Sequence, residues 1–386
     1  MRYVRRDIEP VLQRAARSFP AVVLTGPRRS GKTSLLRHLF PGASYFLLED
    51  PDVVARLRAD PQGFLDAVRL PAILDEVQSV PEVFSYVRTR IDREPRRVSR
   101  WFLTGSQEAP LMQEVSESMA GRAAILQLWP MSASESPKVG LLRGGYPEVL
   151  ARPAAARLWF SSFVQTYLER DVRAVTAVRD LATFRRFLAI VASRHGQLLN
   201  RSDLAAPLGV SVPTVNQWLG VLETTGQILL VPPYFENLGK RLVKSPKLFV
   251  ADSGVASHLL GIDSAAELAK SPFRGALFEG LIAAEIAKRQ MNAGEPRRIY
   301  HFRDEQGLEV DFVVPGRAGA LRLIECKASG TMTPAMAAPL LRLAKAFEAR
   351  KRHAIEPLIV HEAPSGRGVG SPAPGVRAVD WREYFA

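Results

Sequence analysis

Eight residues, Gly26-Pro27-Arg28-Arg29-Ser30-Gly31-Lys32-Thr33, match the spacing G-x-x-x-x-G-K-T, and Ser34 follows them. The chemistry such a run can do is phosphate binding. Gly26 and Gly31 let the backbone turn several N–H groups onto one anion, Lys32 offers a point charge to the β and γ phosphates, and the Thr33 hydroxyl can reach Mg2+. Asp75 and Glu76 close the apolar run Ala72-Ile73-Leu74. Asp75 suits a carboxylate that holds Mg2+ through water, and Glu76 suits a general base that polarises the attacking water. Two acids in this place also fit a solvated strand end; their pairing with the loop favours hydrolysis of ATP, with Mg2+ as its ion.

These groups work only if the chain brings them to one edge, and the surrounding pattern provides for that. Ala21 to Thr25 reads as a buried strand, the loop follows at once, and Thr33 to Leu39 reads as a helix. Further apolar runs at Tyr45 to Leu48, Pro71 to Leu74, Trp101 to Thr104 and Ala124 to Leu128 alternate with helical patterns. That rhythm predicts an α/β fold with a doubly wound parallel sheet. From Ala154 to Leu230 the pattern is mostly helical, and from Phe273 a helix precedes strands at Arg298 to Phe302, Glu309 to Val314 and Leu321 to Cys326. A chain of 386 residues is expected to hold two or three domains. The boundaries fall at residues 1–150, 151–268 and 269–386.

The strand Trp101-Phe102-Leu103-Thr104, followed by Gly105-Ser106, extends the likeness beyond the loop, and here the sequence resembles the AAA-type ATPases. The resemblance implies that this strand lies between the first and third strands and ends in a polar sensor of the γ-phosphate, Thr104 or Ser106; a plain strand-to-loop turn is the alternative. Met119-Ala120-Gly121-Arg122 precedes the next strand, where such ATPases carry an arginine finger. The resemblance gives that role to Arg122, acting on a neighbouring subunit, and so implies a homo-oligomer, a hexameric ring among its forms. A surface ion pair is the other reading of Arg122.

In the middle of the chain, Ser202 to Leu219 reads as helix, glycine turn and second helix, with Pro213 acceptable in the first turn. Val215, Leu219 and Leu222 face a core, which leaves Thr214, Asn216, Gln217 and, as a further candidate, Trp218 outward. Ile228 to Val231 resembles the first strand of a winged helix. In a DNA-binding reading the second helix enters the major groove while Lys240, Arg241, Lys244 and Lys247, with Arg194, His195 and Arg201, hold phosphates. A winged helix that serves as a protein-docking or interdomain scaffold is the alternative.

Toward the C-terminus, Glu279 on a helix, Asp311 on a strand and Glu325-Cys326-Lys327 on the next resemble the metal-and-base arrangement of restriction-endonuclease-like folds. Period two puts Glu325 and Lys327 on one face, so that carboxylates of Asp311 and Glu325 can hold Mg2+ while the ammonium orients water. Both a cleaving nuclease and an inert docking surface fit this pattern.

Composition narrows the partners. The net charge of +13 favours a polyanion such as DNA, although a chain so rich in Ala, Pro and Arg can also owe its charge to coding bias. One cysteine and six scattered histidines argue against a disulfide and against structural zinc. No apolar run is long enough to span a membrane, and the charged N-terminus lacks a signal sequence, so a cytoplasmic location is expected.

Taken with Arg6-Asp7-Ile8-Glu9-Pro10, Leu74-Asp75-Glu76-Val77-Gln78, Gly144-Gly145-Tyr146-Pro147-Glu148 and Tyr167-Leu168-Glu169-Arg170-Asp171, these motifs resemble, over nearly the full length, a prokaryotic family of AAA-type ATPases. That family has a helical and winged-helix middle and a C-terminal restriction-endonuclease-like domain of unknown function. The resemblance offers Arg170 as a second nucleotide sensor, against an intrahelical Glu/Arg pair. It leaves three functions open: an ATPase that remodels or translocates on DNA, branched or forked DNA included; a regulatory ATPase that switches protein interactions in stress response or defence; and an ATP-gated nuclease.

Overall fold

The computed structural model describes residues 3–106, 117–168, 181–234, 243–316, 319–348, 354–362 and 371–386. Five apolar segments pair in parallel in the N-terminal part: β1 (Ala21–Thr25), β2 (Ser44–Leu47), β3 (Ala72–Asp75), β4 (Trp101–Thr104) and β5 (Ala123–Gln127), in the order β2-β3-β4-β1-β5. The central strands β1, β3 and β4 are buried throughout, which is why they read as unbroken apolar runs. Val22, Ile73 and Phe102 pack under the helices Glu9–Ser18 and Lys32–Leu39. Val23, Leu74 and Leu103 pack on the opposite face with Phe84, Val87 and Ile91 of the helix Val83–Arg93. Each such side chain withdrawn from water contributes roughly 1.5–3 kcal/mol, so the sheet is a stiff platform for the loops at its edge. The expected parallel α/β unit is present, with β1 and β4 at the predicted residues and β2, β3 and β5 displaced by one.

The middle part contains a helix Leu181–Ser193, the strand β6 (Gln197–Leu198), a short helix Arg201–Ala205, a turn through Gly209 and a second helix Val212–Thr224. The second helix starts where the Thr214 N–H donates to Ser211 Oγ at 3.2 Å, with Pro213 in its first turn. β7 (Ile228–Val231) and β8 (Lys247–Val250) complete an antiparallel sheet of order β6-β8-β7. Trp218 is buried, its ring 5.4 Å from Phe184 and 5.0 Å from Phe187, so it is a core residue and leaves the outward face to its polar neighbours.

In the C-terminal part, the long helix Arg274–Asn292 precedes β9 (Tyr300–Arg303), β10 (Glu309–Pro315) and β11 (Leu321–Lys327), followed by a helix Pro334–Glu348, β12 (Ile355–His361) and β13 (Arg377–Asp380). The sheet order is β13-β12-β11-β10-β9, antiparallel from β9 to β11 and parallel from β11 to β13. The pleat divides the side chains: Leu321 and Leu323 meet the helix Pro334–Glu348, while Ile324 meets the long helix. One continuous core runs from Trp129 through the middle helices to Phe312, Ile324 and Phe385, so the middle and C-terminal parts are packed as one body.

Candidate functional site

β1 delivers the chain into the loop at Gly26, where φ is 143° and an added Cβ would lie 2.1 Å from the Leu128 carbonyl oxygen; only glycine fits. The loop ends at Gly31 (φ 99°), which starts the helix Lys32–Leu39 without a side-chain cap, a terminus whose dipole favours an anion. Lys32 is buried, and its Nζ donates to the carbonyls of Gly26 and Pro27 at 3.1 and 3.0 Å, which centres the ammonium on the loop. Arg28 lies 3.8 Å from Glu49, Arg29 takes φ 63°, Ser30 is buried and Ser34 is exposed.

Arg6 supports this loop from behind. Its guanidinium donates to Ser30 O at 2.9 Å and to Trp129 O at 2.8 Å and pairs with buried Glu135 at 3.0 Å. Sequence reasoning noted Arg6 only as part of a motif, because its three partners lie far along the chain.

Asp75 organises the far side of the loop. The Thr33 hydroxyl donates to Asp75 Oδ2 at 2.8 Å, and the Thr104 hydroxyl donates to Oδ1 at 2.9 Å. Tyr45, missed at the level of sequence, also donates to Oδ2 at 2.8 Å. Burial and this bond to the carboxylate push the Tyr45 phenol well above its ordinary range, so it stays a donor. Glu76 adopts a left-handed backbone (φ 57°), and its carboxylate accepts from Gln78 Nε2. Ser106 is buried next to this edge, and its hydroxyl has no hydrogen-bond partner among the described residues. A threonine hydroxyl converging with a carboxylate is the oxygen set a hard cation takes, so Thr33 and Asp75 fit Mg2+.

Arg122 stands at the opposite end of the sheet. It precedes β5, whose first residue aligns with Ala21 at the start of β1, so about 16 Å of strand separates it from its own loop. Its guanidinium makes a two-pronged pair with Asp92, at 2.6 and 3.0 Å. That pair holds the Asp92 carboxyl below its usual range. Arg170 lies outside the described residues.

Of the residues expected to meet DNA, Asn216 and Gln217 are exposed on the second helix, Thr214 is half-buried, and Lys244 is exposed. Lys240 and Arg241 lie outside the described residues. Arg194 and Arg201 are exposed, whereas His195 is buried, accepts the Val250 N–H on Nδ1 at 3.0 Å, and is pushed down to about 4 by burial; it is a neutral core group, not a surface cation. Lys247 is likewise not a surface cation. It is 2% exposed, because the first residue of β8 turns its side chain into the C-terminal sheet.

There Lys247 Nζ lies 2.8 Å from Glu279 Oε1, 2.7 Å from Glu309 Oε1 and 3.5 Å from Asp311 Oδ1. The Cys326 N–H donates to Asp311 Oδ2 at 2.8 Å, and Lys327 pairs with Glu325 at 2.7 Å. Glu279 and Asp311, together with Glu309, therefore surround an ammonium instead of an open space, while Glu325 pairs with Lys327. Burial, then the neighbouring Asp311, raises Glu279 to about 8 and Glu325 to about 7. Burial and the same carboxylates raise the Cys326 thiol, which keeps it protonated. Among the described residues, no three His, Cys, Asp or Glu side chains are arranged to hold a metal ion. The expected role of Asp311 and Glu325 as metal ligands does not fit this arrangement.

A last contact joins the parts. At Gly226, in the turn between the helix Val212–Thr224 and β7, an added Cβ would lie 3.0 Å from Pro27 Cγ of the phosphate loop. Among the described residues no helix is long and apolar enough to cross a membrane.

Family models match the chain in succession: an AAA domain over residues 18–136, a domain of unknown function (DUF8612) over 137–266, and a domain of unknown function (DUF4143) over 274–362. Among solved structures, the chain is similar to the Walker-type ATPase PABY2304 of Pyrococcus abyssi, at 17% identity and a TM-score of 0.42 over 66% of this chain and 95% of that one. It is also similar to a point variant of RuvB from Thermotoga maritima, at 16% identity and a TM-score of 0.30 over 58% and 86%. At such scores the likeness is partial, and the fold stands on the strand order and the loop geometry. The sequence is 33% identical over 318 residues to the uncharacterized protein Rv2008c of Mycobacterium tuberculosis, covering 80% of this chain and 71% of that protein, and equally to the uncharacterized protein Mb2031c of Mycobacterium bovis. The chain belongs to one family with these mycobacterial proteins, and its first unit is an AAA-type P-loop ATPase domain.

Proposed function

We propose that this chain hydrolyses ATP with Mg2+ and couples the cycle to DNA, remodelling it or translocating along it, forked or branched DNA included. The observation that carries the ATPase reading is the double use of Asp75, which holds Thr33 on one oxygen and Thr104 on the other beside the Lys32 loop. In this reading the loop backbone and Lys32 hold the phosphates, and Thr33 and Asp75 hold Mg2+, which neutralises charge on the phosphate oxygens. Glu76 takes the proton of the attacking water, and Thr104 with Ser106 orients polar groups toward the γ-phosphate. Arg122, too far from its own loop, acts on the loop of a neighbouring copy, so the working form is a homo-oligomer, with a hexameric ring the expected geometry.

The DNA part rests on the net charge of +13 and on the exposed Asn216 and Gln217, with exposed Arg194, Arg201 and Lys244 on either side of them in the sequence. ATP turnover measured with and without duplex, forked and single-stranded DNA tests it. Strong stimulation is expected; no stimulation by any of them sinks the DNA-coupled cycle. Turnover that Lys32→Ala fails to abolish would sink the ATPase reading itself.

A second reading, a regulatory ATPase that switches protein contacts, is favoured by one observation: Glu309 and Asp311 of the C-terminal sheet and Glu279 of the long helix are already taken by Lys247. Turnover indifferent to DNA but altered by a protein partner would select it. The ATP-gated nuclease has less support, since it needs Asp311 and Glu325 free for a metal.

A further inference from the structure

The acidic side chains of the C-terminal sheet face a cation that the chain supplies itself. Lys247 comes from the middle part, its side chain is 3% exposed, and three carboxylates surround its Nζ. An ammonium has three N–H donors, so Glu279, Glu309 and Asp311 match its full capacity. Of the other oxygens, Asp311 Oδ2 is engaged by the Cys326 N–H, Glu309 Oε2 by Arg303 at 3.2 Å and Glu325 Oε1 by Lys327, while Glu325 Oε2 is buried without a hydrogen-bond partner among the described residues.

Charge and geometry both oppose a divalent ion here. A magnesium or manganese ion would need about six oxygen ligands at roughly 2.0–2.2 Å. It would have to sit where Nζ sits, because that is where the three carboxylates converge. Two adjacent cations in a buried site repel strongly, since the interior screens them far less than water does. Removing the lysine has the opposite effect: it leaves buried carboxylates without a counter-charge, a state that a cation from solution relieves.

We propose that Lys247 is the resident cation of this cluster, an ammonium held in the place of a divalent metal, which docks the middle part onto the C-terminal sheet and keeps that sheet from binding metal. The inference is independent of the nucleotide chemistry.

The test is Mn2+ binding to the full-length, nucleotide-free protein, followed by electron paramagnetic resonance. Asp311→Asn variants isolate the cluster from any ion at Thr33 and Asp75. Wild type and Asp311→Asn are expected to bind the same amount of Mn2+. Lys247→Ala is expected to gain one Mn2+ per chain, roughly tenfold or more tighter than any cluster binding in wild type, and to lose it when Asp311→Asn is added. Either Asp311-dependent Mn2+ in wild type, or no gain in a folded Lys247→Ala, overturns the proposal. Should Lys247→Ala fail to fold, wild type against Asp311→Asn decides alone: Asp311-dependent Mn2+ overturns it, and its absence supports it.

Discussion

Thr104 donates its hydroxyl to Asp75 Oδ1 at 2.9 Å, across neighbouring strands, and neither residue is exposed to water. Thr33 occupies the other oxygen, so Thr104 fixes the rotation of the carboxylate that Thr33 shares. A hydrogen bond to a buried charged group contributes about 1.5–3 kcal/mol, or roughly 10- to 150-fold in rate if it is lost in the transition state alone. Thr104→Val is expected to lower kcat for ATP by that factor with nucleotide affinity little changed. Steady-state turnover beside equilibrium binding of a fluorescent ATP analogue checks both halves.

Arg6→Ala is expected to destabilise the chain by about 3–5 kcal/mol, because it leaves the buried Glu135 carboxylate without its cation, held only by the Asp7 and Ser132 N–H groups, and frees the Ser30 and Trp129 carbonyls. Chemical denaturation measures this. Arg6→Ala/Glu135→Gln should recover part of the loss, since no unpaired charge remains.

Arg122→Ala is expected to leave melting temperature and ATP affinity nearly unchanged, because the pair with Asp92 is exposed. Turnover should fall by about 10³-fold or more if the guanidinium completes a neighbour's site. Mixing it with Lys32→Ala protein, which retains Arg122, should restore part of the activity. No restoration would mean that no residue is shared between copies.

Arg194→Ala and Arg201→Ala remove exposed cations of the middle part without touching the core. Each is expected to weaken DNA binding across sequences and to reduce the steepness of its salt dependence by about one ion. Asn216→Ala, in contrast, should lower affinity with the salt slope kept. Fluorescence anisotropy at several salt concentrations separates the two.

Stability should depend on pH in two windows. Glu279 and Glu325 titrate at about 8 and about 7 in the folded chain against 4.5 unfolded, so between those values the folded chain holds more protons and loses stability as pH rises. His195 and His301 are depressed by burial to about 4 from 6.5, so stability rises with pH across that interval. Above pH 6.5 only the carboxyl contribution remains, and the melting temperature should fall by roughly 2–4 °C toward pH 8. Glu279→Gln should flatten that fall.

Much of the N-terminal part was legible because parallel strands buried on both faces read as continuous apolar runs, and because Asp75 ends β3 while Lys32 and Thr33 start the helix that follows the β1 loop. What escaped was set by contacts across long stretches of chain. Lys247 closes a run of cations that reads as a surface patch, yet its partners Glu279, Glu309 and Asp311 come from other elements of another part of the molecule. His195 and Trp218 carry polar atoms that suggest the surface, whereas packing against Phe249 and against Phe184 and Phe187 draws them inside. Tyr45 gave no signal, because its acceptor lies thirty residues on.

The turn at Gly226 rests against Pro27. The helix Val212–Thr224, about 20 Å long, thus ends beside the nucleotide loop, while its exposed Asn216 and Gln217 lie nearer its other end. Because the helix shares its core with the C-terminal sheet, the nucleotide loop abuts at Gly226 the same packed body that carries that sheet.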